Sequence, residues 1–375
     1  MTTWIWQQPN WPQFTWDAAT LAPLLRELHQ QIGELVGKAA ASGTPSEEQS
    51  LNTLLQNILA SSEIENETLN AQSVRSSLAK RLHITKDNPY PVSERSEGIA
   101  ELMMDAIGHA QQPLRVARLY QWHEWLFPKE VEPFLSSRPQ RVGTMRGPEP
   151  MQVVSGRLDR PTIHFIAPPH TVLEHEVARF IDWFNQSQHD ALLDPLLRAG
   201  ICHLWFVTLH PFEDGNGRLT RALTDMALAQ ANPISIYLYA MSPFILAQRK
   251  DYYLMLEKTQ RGDLVITAWL HWFLQGLKQS LQGAIQSIDR TIAKARFWQH
   301  YAQTPLLNAQ IKVLNRLLDG GEKGFEQGIN ASQYQKVAKV SKATATRHLA
   351  DLVAKGCLER SAGGGRSTRY KIAFT

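Results

Sequence analysis

The helical run that carries Ile201 to Leu209 cannot pass unbroken through the twelve residues that follow it, His210-Pro-Phe-Glu-Asp-Gly-Asn-Gly-Arg-Leu-Thr-Arg221. Pro211 removes a backbone donor, and Gly215-Asn216-Gly217 lets the chain turn where other residues would clash. A new helix is expected to open at about Arg218. One imidazole, two adjacent carboxylates, a Gly-Asn-Gly turn and two arginines three residues apart thus fall on one helix–loop–helix corner. Each feature by itself has an ordinary structural explanation. No ordinary segment needs all of them in register.

Together they suit a nucleotide triphosphate. Glycines let the backbone approach phosphate oxygens, and a helix N-terminus offers unpaired N–H groups with a favourable dipole. Arg218 and Arg221, at i and i+3, share a side of the new helix and can grip successive phosphates. Asp214 is a hard oxygen ligand suited to Mg²⁺. A neutral His210 can accept a hydroxyl proton. Phe212 is expected to point into the core, and Glu213 is given no role. The phosphate-loop signature G-x-x-x-x-G-K-[ST] does not occur, so the usual NTPase mechanism is not indicated. His164, His170 and His175 match no common zinc-ligand spacing.

The surroundings read as mainly helical. Helical spacing covers Asp17 to Val36, a run from Glu47 through Ile58 and Ile64, Ser93 to Ala110, and Leu114 to Leu126. From Thr171 to about Arg296 the pattern is helical except at the 210–217 loop and turns near Pro233 and Ser242. Between these blocks Met151–Val154 and Thr162–Ile166 favour a β-hairpin. Trp4, Trp6, Trp11 and Trp16 crowd the first twenty residues. Four indoles are costly to expose, so this arm is expected to cap the body of the fold.

The formal net charge of +4 is unevenly spread. Residues 330–375 carry nine basic against two acidic side chains, a net of +7, and the other 329 residues net −3. The same tail reads as helices over Leu306–Leu318, Ser332–Ala338 and Lys342–Lys355. A hairpin over Leu358–Arg360 and Thr368–Ile372 follows. Helix–helix–helix–hairpin with a basic third helix is winged-helix order. Lys342, Thr344, Thr346 and Arg347 are candidate DNA contacts on that helix, and Arg366 and Arg369 on the wing. A protein-binding or dimerising winged helix is the alternative.

Two cysteines exclude a disulfide framework. No run of about 18 apolar residues is present, so no membrane span is expected. Val265–Leu277, the richest apolar stretch, is interrupted by His271 and Gln275 and suits a buried helix. No basic-then-apolar leader opens the chain, and a cytoplasmic location is expected.

Residues 210–221 resemble in full the Fic family signature, His-Pro-Phe-x-[Asp/Glu]-Gly-Asn-Gly-Arg-x-x-Arg. The resemblance implies a Fic-type helical core with a small β-hairpin flap over Val153–Ile166. It implies transfer of AMP from ATP to a Ser, Thr or Tyr hydroxyl of a target protein. By that resemblance His210 is the general base and Asp214 holds Mg²⁺. Gly215, Asn216 and Gly217 form the anion cradle, and Arg218 and Arg221 bind the outer phosphates. Ser61-Ser-Glu-Ile-Glu65-Asn66 fits the family's inhibitory motif, [Ser/Thr]-x-x-x-Glu-[Gly/Asn]. Ser61 is then expected to steady the Glu65 carboxylate, which pairs with Arg221 and blocks the γ-phosphate. Ser242–Tyr253 resembles the nucleotide-flanking segment, except that Gln248 stands where asparagine is expected. Tyr252 and Tyr253 there are either core residues or adenine contacts. The resemblance also favours a homodimer.

The expected fold is therefore mainly α with an α+β winged-helix C-terminal domain. Its parts are an N-terminal helical segment (1–92), a catalytic core (93–300) and the winged helix (301–375). Two other functions fit the same residues. With Glu65 orienting water, the site would remove AMP from a modified protein. Alternatively the chain is a DNA-binding regulator whose Fic domain senses a nucleotide or modifies its own chain.

Overall fold

The structure, a computed structural model, describes residues 4–41, 47–84, 90–128, 141–157, 160–320, 325, 327–361 and 368–373. The chain forms two compact units, Met1–Ala284 and Ile285–Thr375.

The first unit is built around two buried helices, α7 (Pro195–Leu209) and α8 (Asn216–Ala231), packed against each other. Asp194 opens α7 by accepting from the Leu196 amide, with Pro195 in the first turn, where its missing N–H costs nothing. Every residue from Leu196 to Leu209 is buried. Such a helix cannot sit at a surface, and the rest of the unit wraps it.

The wrapping elements are α1 (Ala18–Ala41), α2 (Glu47–Ile64), α3 (Ala71–Arg81), α4 (Glu94–Gly108), α5 (Val116–Leu126) and α6 (His170–Ser187). After α8 come α9 (Ser242–Ala247), α10 (Arg249–Gln260) and α11 (Thr267–His300), whose residues beyond Ala284 belong to the second unit. Trp269 of α11 donates its indole N–H to the Gly200 carbonyl at 2.8 Å. Two strands, β1 (Gln152–Arg157) and β2 (Arg160–Ile166), pair antiparallel with a register irregularity at Val153/Val154.

The tryptophan arm caps this body. Trp4 packs edge-on against Phe165 of β2, ring centres 5.3 Å apart. Trp6 donates to the Ile166 carbonyl at 2.7 Å, and Trp11 to Glu176 of α6 at 2.8 Å. Thr15 then pairs with Val265 as a parallel bridge.

The helical stretch after Thr171 breaks more often than its apolar spacing predicts. Asp190 accepts from the Leu192 amide before α7, and Asp263 accepts from the Val265 amide before α11. Such short side-chain turns compete with the helix locally.

In the second unit α12 (Asn308–Asp319), α13 (Ala331–Ala338) and α14 (Lys342–Ala354) precede the short pair β3 (Leu358–Arg360) and β4 (Tyr370–Ile372). Val313, Leu314, Tyr334, Leu349 and Leu352 are at its core. The elements follow the order read from the sequence.

No helix among the described residues is long and apolar enough to cross a membrane.

One crossing offers a sharp test. At Gly98, α4 meets α5 so closely that a Cβ would overlap the Trp125 backbone carbonyl. Backbone cannot swing aside as a flexible side chain can. Gly98→Ala is expected to destabilise the protein by about 1–3 kcal/mol, read as a lower urea midpoint. An unchanged midpoint would show that the two helices slide freely.

Candidate active site

α7 ends on His210, whose backbone is left-handed (φ 49°, ψ 56°), a conformation that non-glycine residues avoid. Two contacts to its backbone hold it there. The His210 amide donates to the Phe206 carbonyl, and Arg146 Nε donates to the His210 carbonyl at 2.8 Å. Arg146 also donates to the Pro168 carbonyl, and its amide to the Pro211 carbonyl. This guanidinium is 2% exposed, and burial pushes it down to about 10, so it remains charged at neutral pH.

The His210 ring has a defined tautomer. Nδ1 lies 3.0 Å from the Val207 carbonyl, which can only accept, so Nδ1 carries the proton and Nε2 keeps its lone pair. Burial lowers the His210 pKa, and the charge of Arg146 adds to that. The bond to Val207, Glu65 and Asp214 push the other way. The net effect favours a neutral, proton-accepting ring.

The next residues are locked from both sides. Asn216 accepts from the Phe212 amide (2.9 Å) and donates to the Phe212 carbonyl (2.8 Å). That clamp starts α8 at Asn216 rather than at the expected Arg218. Phe212 is buried, as expected, and stacks on His123 of α5 with ring centres 4.3 Å apart. His123 accepts the Gly143 amide at Nδ1 and donates from Nε2 to the Asp214 carbonyl. Gly215 is left-handed (φ 79°), with the Phe127 ring 3.0 Å from where a Cβ would stand. The Asp214 carboxylate is 48% exposed and accepts the Gly215 amide at 2.6 Å. Glu213, given no role above, accepts from the Arg141 amide.

Both signature arginines are buried and occupied. Arg221 pairs with Glu65 at 2.9 Å and donates to both the Ser61 hydroxyl (2.8 Å) and the Ser61 carbonyl (2.7 Å). Ser61 therefore steadies the arginine, not the carboxylate as expected. The reason is that the guanidinium reaches the last turn of α2 and donates to the Ser61 hydroxyl and carbonyl together. Arg218 pairs with Glu67. Asn66 between the two acids is left-handed (φ 59°) and accepts from Arg249 at 2.8 Å. A Cβ at Gly217 would overlap Glu65 Oε1. The carboxylate thus lies against the first turn of α8, where an anion is best received. About two turns on, burial pushes Asp225 up to about 7 although Asn57 of α2 donates to it.

These residues border a cleft of about 710 Å³ lined by Glu65, His210, Asp214, Gly217, Val153 of the hairpin and Tyr253. Arg218 and Arg221 are not among its described lining residues. The tyrosines separate: Tyr252 is buried and bonded to His203 at 2.9 Å, whereas Tyr253 is 39% exposed at the cleft. Gln248 sits at the break between α9 and α10. His164 is engaged by Ser155 and Glu257.

Sequence reasoning missed Arg146, His123, Glu67 and Arg95. The available signal was the second acid of Glu65-Asn66-Glu67, one carboxylate for each signature arginine.

In the second unit Ser341 caps α14, and Lys342, Thr346 and Arg347 are exposed on it. Thr344 shares a hydrogen bond with Ser341, and the Thr346 hydroxyl donates to the Lys342 carbonyl. Arg369 turns inward to the Gly328 carbonyl at 2.9 Å, away from the outward reach expected of it. The Ile329–Tyr370 bridge brings the Gly328 carbonyl within its reach. Arg366 lies outside the described residues.

Residues 210–221 lie inside a stretch that matches a known family. Residues 113–228 match the Fic/DOC family, and residues 4–84 match a domain of unknown function, DUF4172. Protein adenylyltransferase fic-1 of Caenorhabditis briggsae is 37% identical over 98 residues, 26% of this chain and 17% of that protein. Protein adenylyltransferase Fic of Drosophila virilis is 30% identical over 141 residues, 34% of this chain and 27% of that protein. The chain thus matches less than a third of either relative's length. A crystal structure of a Fic family protein from Desulfovibrio desulfuricans G20 aligns with TM-score 0.52 at 20% identity, over 94% of this chain and 97% of that one. It supports the fold.

His123 gives the site a pH signature. Burial pushes its imidazole from 6.5 down to about 4, so below 6.5 the unfolded chain binds the proton more readily. Stability therefore falls as pH drops from 6.5 to about 4, by about 3 kcal/mol for this group. Urea unfolding of His123→Gln across that window is expected to show a shallower fall than the parent. Parallel curves would mean that His123 is not held neutral.

Proposed function

From its membership of the Fic/DOC family through residues 113–228, we propose that this chain is a protein adenylyltransferase that restrains itself. It transfers AMP from ATP to a hydroxyl side chain of a target protein. The observation that carries the reading is a neutral His210 with its Nε2 lone pair free, at a cleft floored by the first turn of α8.

In this reading Nε2 of His210 takes the proton of the target hydroxyl. The hydroxyl oxygen forms a bond to the α-phosphorus, the bond from that phosphorus to the bridging oxygen breaks, and pyrophosphate leaves. The α8 amides and Arg218 and Arg221 take the phosphate charge. The exposed Asp214 carboxylate at the cleft fits a hard cation that keeps most of its waters. Mg²⁺ there would neutralise charge on the α- and β-phosphates. Asp214 is held for that work through its own carbonyl, by His123.

The restraint is the Glu65–Arg221 pair. A carboxylate against Gly217 and Arg221 excludes phosphate from the same place by charge and by volume. Arg221 is buried and cannot be left without a counter-charge, so release needs a partner that competes for the 61–65 segment or the nucleotide's own phosphates in place of Glu65.

Incubation with α-labelled ATP, Mg²⁺ and host lysate tests both parts. Weak labelling is expected from the parent, strong labelling from Glu65→Gly, and none from Glu65→Gly with His210→Ala. Equal labelling by the first two would remove the restraint. No label in all three would count against AMP transfer.

For the second unit we propose duplex DNA as partner, supported by the exposed Lys342 and Arg347 on the first two turns of α14. Retention on DNA should weaken steeply with salt and more so for Lys342→Glu with Arg347→Glu, as expected for phosphate contacts. A parent protein that is not retained at low salt would leave protein contact as this unit's role.

A further inference from the structure

Glu65 has a companion. Two residues on, Glu67 pairs through Oε2 with Arg218 and through Oε1 with Arg95, in the first turn of α4. Glu67 is 12% exposed and Arg218 5%. Arg218 also lies over the Phe127 ring at 5.0 Å, and its Nε is buried without a hydrogen-bond partner among the described residues. The Asp214 carboxylate stands farther off, at 3.7 Å, and is half exposed. Glu67 is therefore the main counter-charge of Arg218. A guanidinium buried against a carboxylate cannot offer the same fork to a phosphate, and an incoming triphosphate meets like charge there.

Both acids belong to the stretch between α2 and α3 that passes over the start of α8. The geometry points to Glu67 as a second carboxylate controlling the nucleotide site: it occupies Arg218 as Glu65 occupies Arg221. Phosphates then engage both arginines only when residues 65–67 withdraw together. Removing the Glu65 side chain alone leaves Arg218 still taken. Arg95 moderates this hold, because its charge stands against the other carboxylate oxygen, Oε1, as an ionic contact without hydrogen-bond geometry. Without Arg95 the whole carboxylate charge faces Arg218.

The inference rests on the reading of the cleft as an ATP site, and the test separates the two. ATP affinity is measured by calorimetry with Mg²⁺ in the Glu65→Gly protein. Adding Glu67→Gln is expected to tighten Kd about tenfold, the worth of one freed charge-assisted contact. Adding Arg95→Ala is expected to weaken it about threefold. In a Glu65→Gly, Arg218→Ala background Glu67→Gln should change nothing, since the shared partner is gone. General loosening of the α3–α4 region would instead move the Glu67 and Arg95 variants in the same direction. That outcome, or an unchanged Kd with Glu67→Gln, overturns the role of Glu67. If the Glu65→Gly protein binds no ATP at all, the nucleotide reading falls first and this inference falls with it.

Discussion

The corner between α7 and α8 is held by a side chain that comes from sixty-four residues away. Arg146 reaches the carbonyl of a left-handed His210, and Asn216 clamps Phe212 from the other side. Each bond is ordinary in strength, but they act on one short loop. They fix the imidazole, the exposed Asp214 carboxylate and the first amides of α8 in one frame. If the corner relaxed, the imidazole and the first amides of α8 would separate, and the cleft would lose the geometry that the proposed chemistry needs without losing its walls.

The second constraint is electrostatic. α8 buries Arg218, Arg221 and Asp225, and buried charges demand partners. Those partners come from the α2–α3 region: Ser61, Glu65 and Glu67 for the arginines, Asn57 for Asp225. The arrangement satisfies the fold with the same groups that the proposed chemistry requires free. On that reading restraint is not an addition to this site. The carboxylates answer a desolvation problem that any pair of buried guanidiniums poses, and a polyphosphate would answer it equally.

Local signals were legible in the sequence and distant ones were not. Pro211 and Gly215 announce the corner because their backbone preferences act on their immediate neighbours. The helical body, the hairpin and the tail order follow from apolar spacing. Glu65 was reachable only through resemblance, since nothing local distinguishes it from Glu63 or Glu67. Ser61 has a different partner from the one its spacing suggests, because an i,i+4 relation to Glu65 reveals nothing of an arginine arriving from α8. Arg146 and His123 were missed for a related reason. Their value lies in carbonyls far along the chain, and a lone arginine or histidine in sequence carries no mark of what it will meet. The extra breaks before α7 and α11 came from Asp190 and Asp263, whose short-range turns override a continuing apolar pattern.

The tryptophan arm has a bearing on how the protein is made. Trp6 finds its acceptor at Ile166, and the Asp17 amide finds Thr267, 250 positions later. A ribosome delivers the arm before the surface it docks on. Until Phe165, Ile166 and Glu176 have followed, the indoles of Trp4, Trp6 and Trp11 have no native place to go, and an exposed aromatic strip of that kind is what chaperones bind and aggregates recruit. The segment that closes the finished unit waits for an acceptor 160 positions later, so this chain's yield in a cell depends on how the arm is sheltered in the meantime.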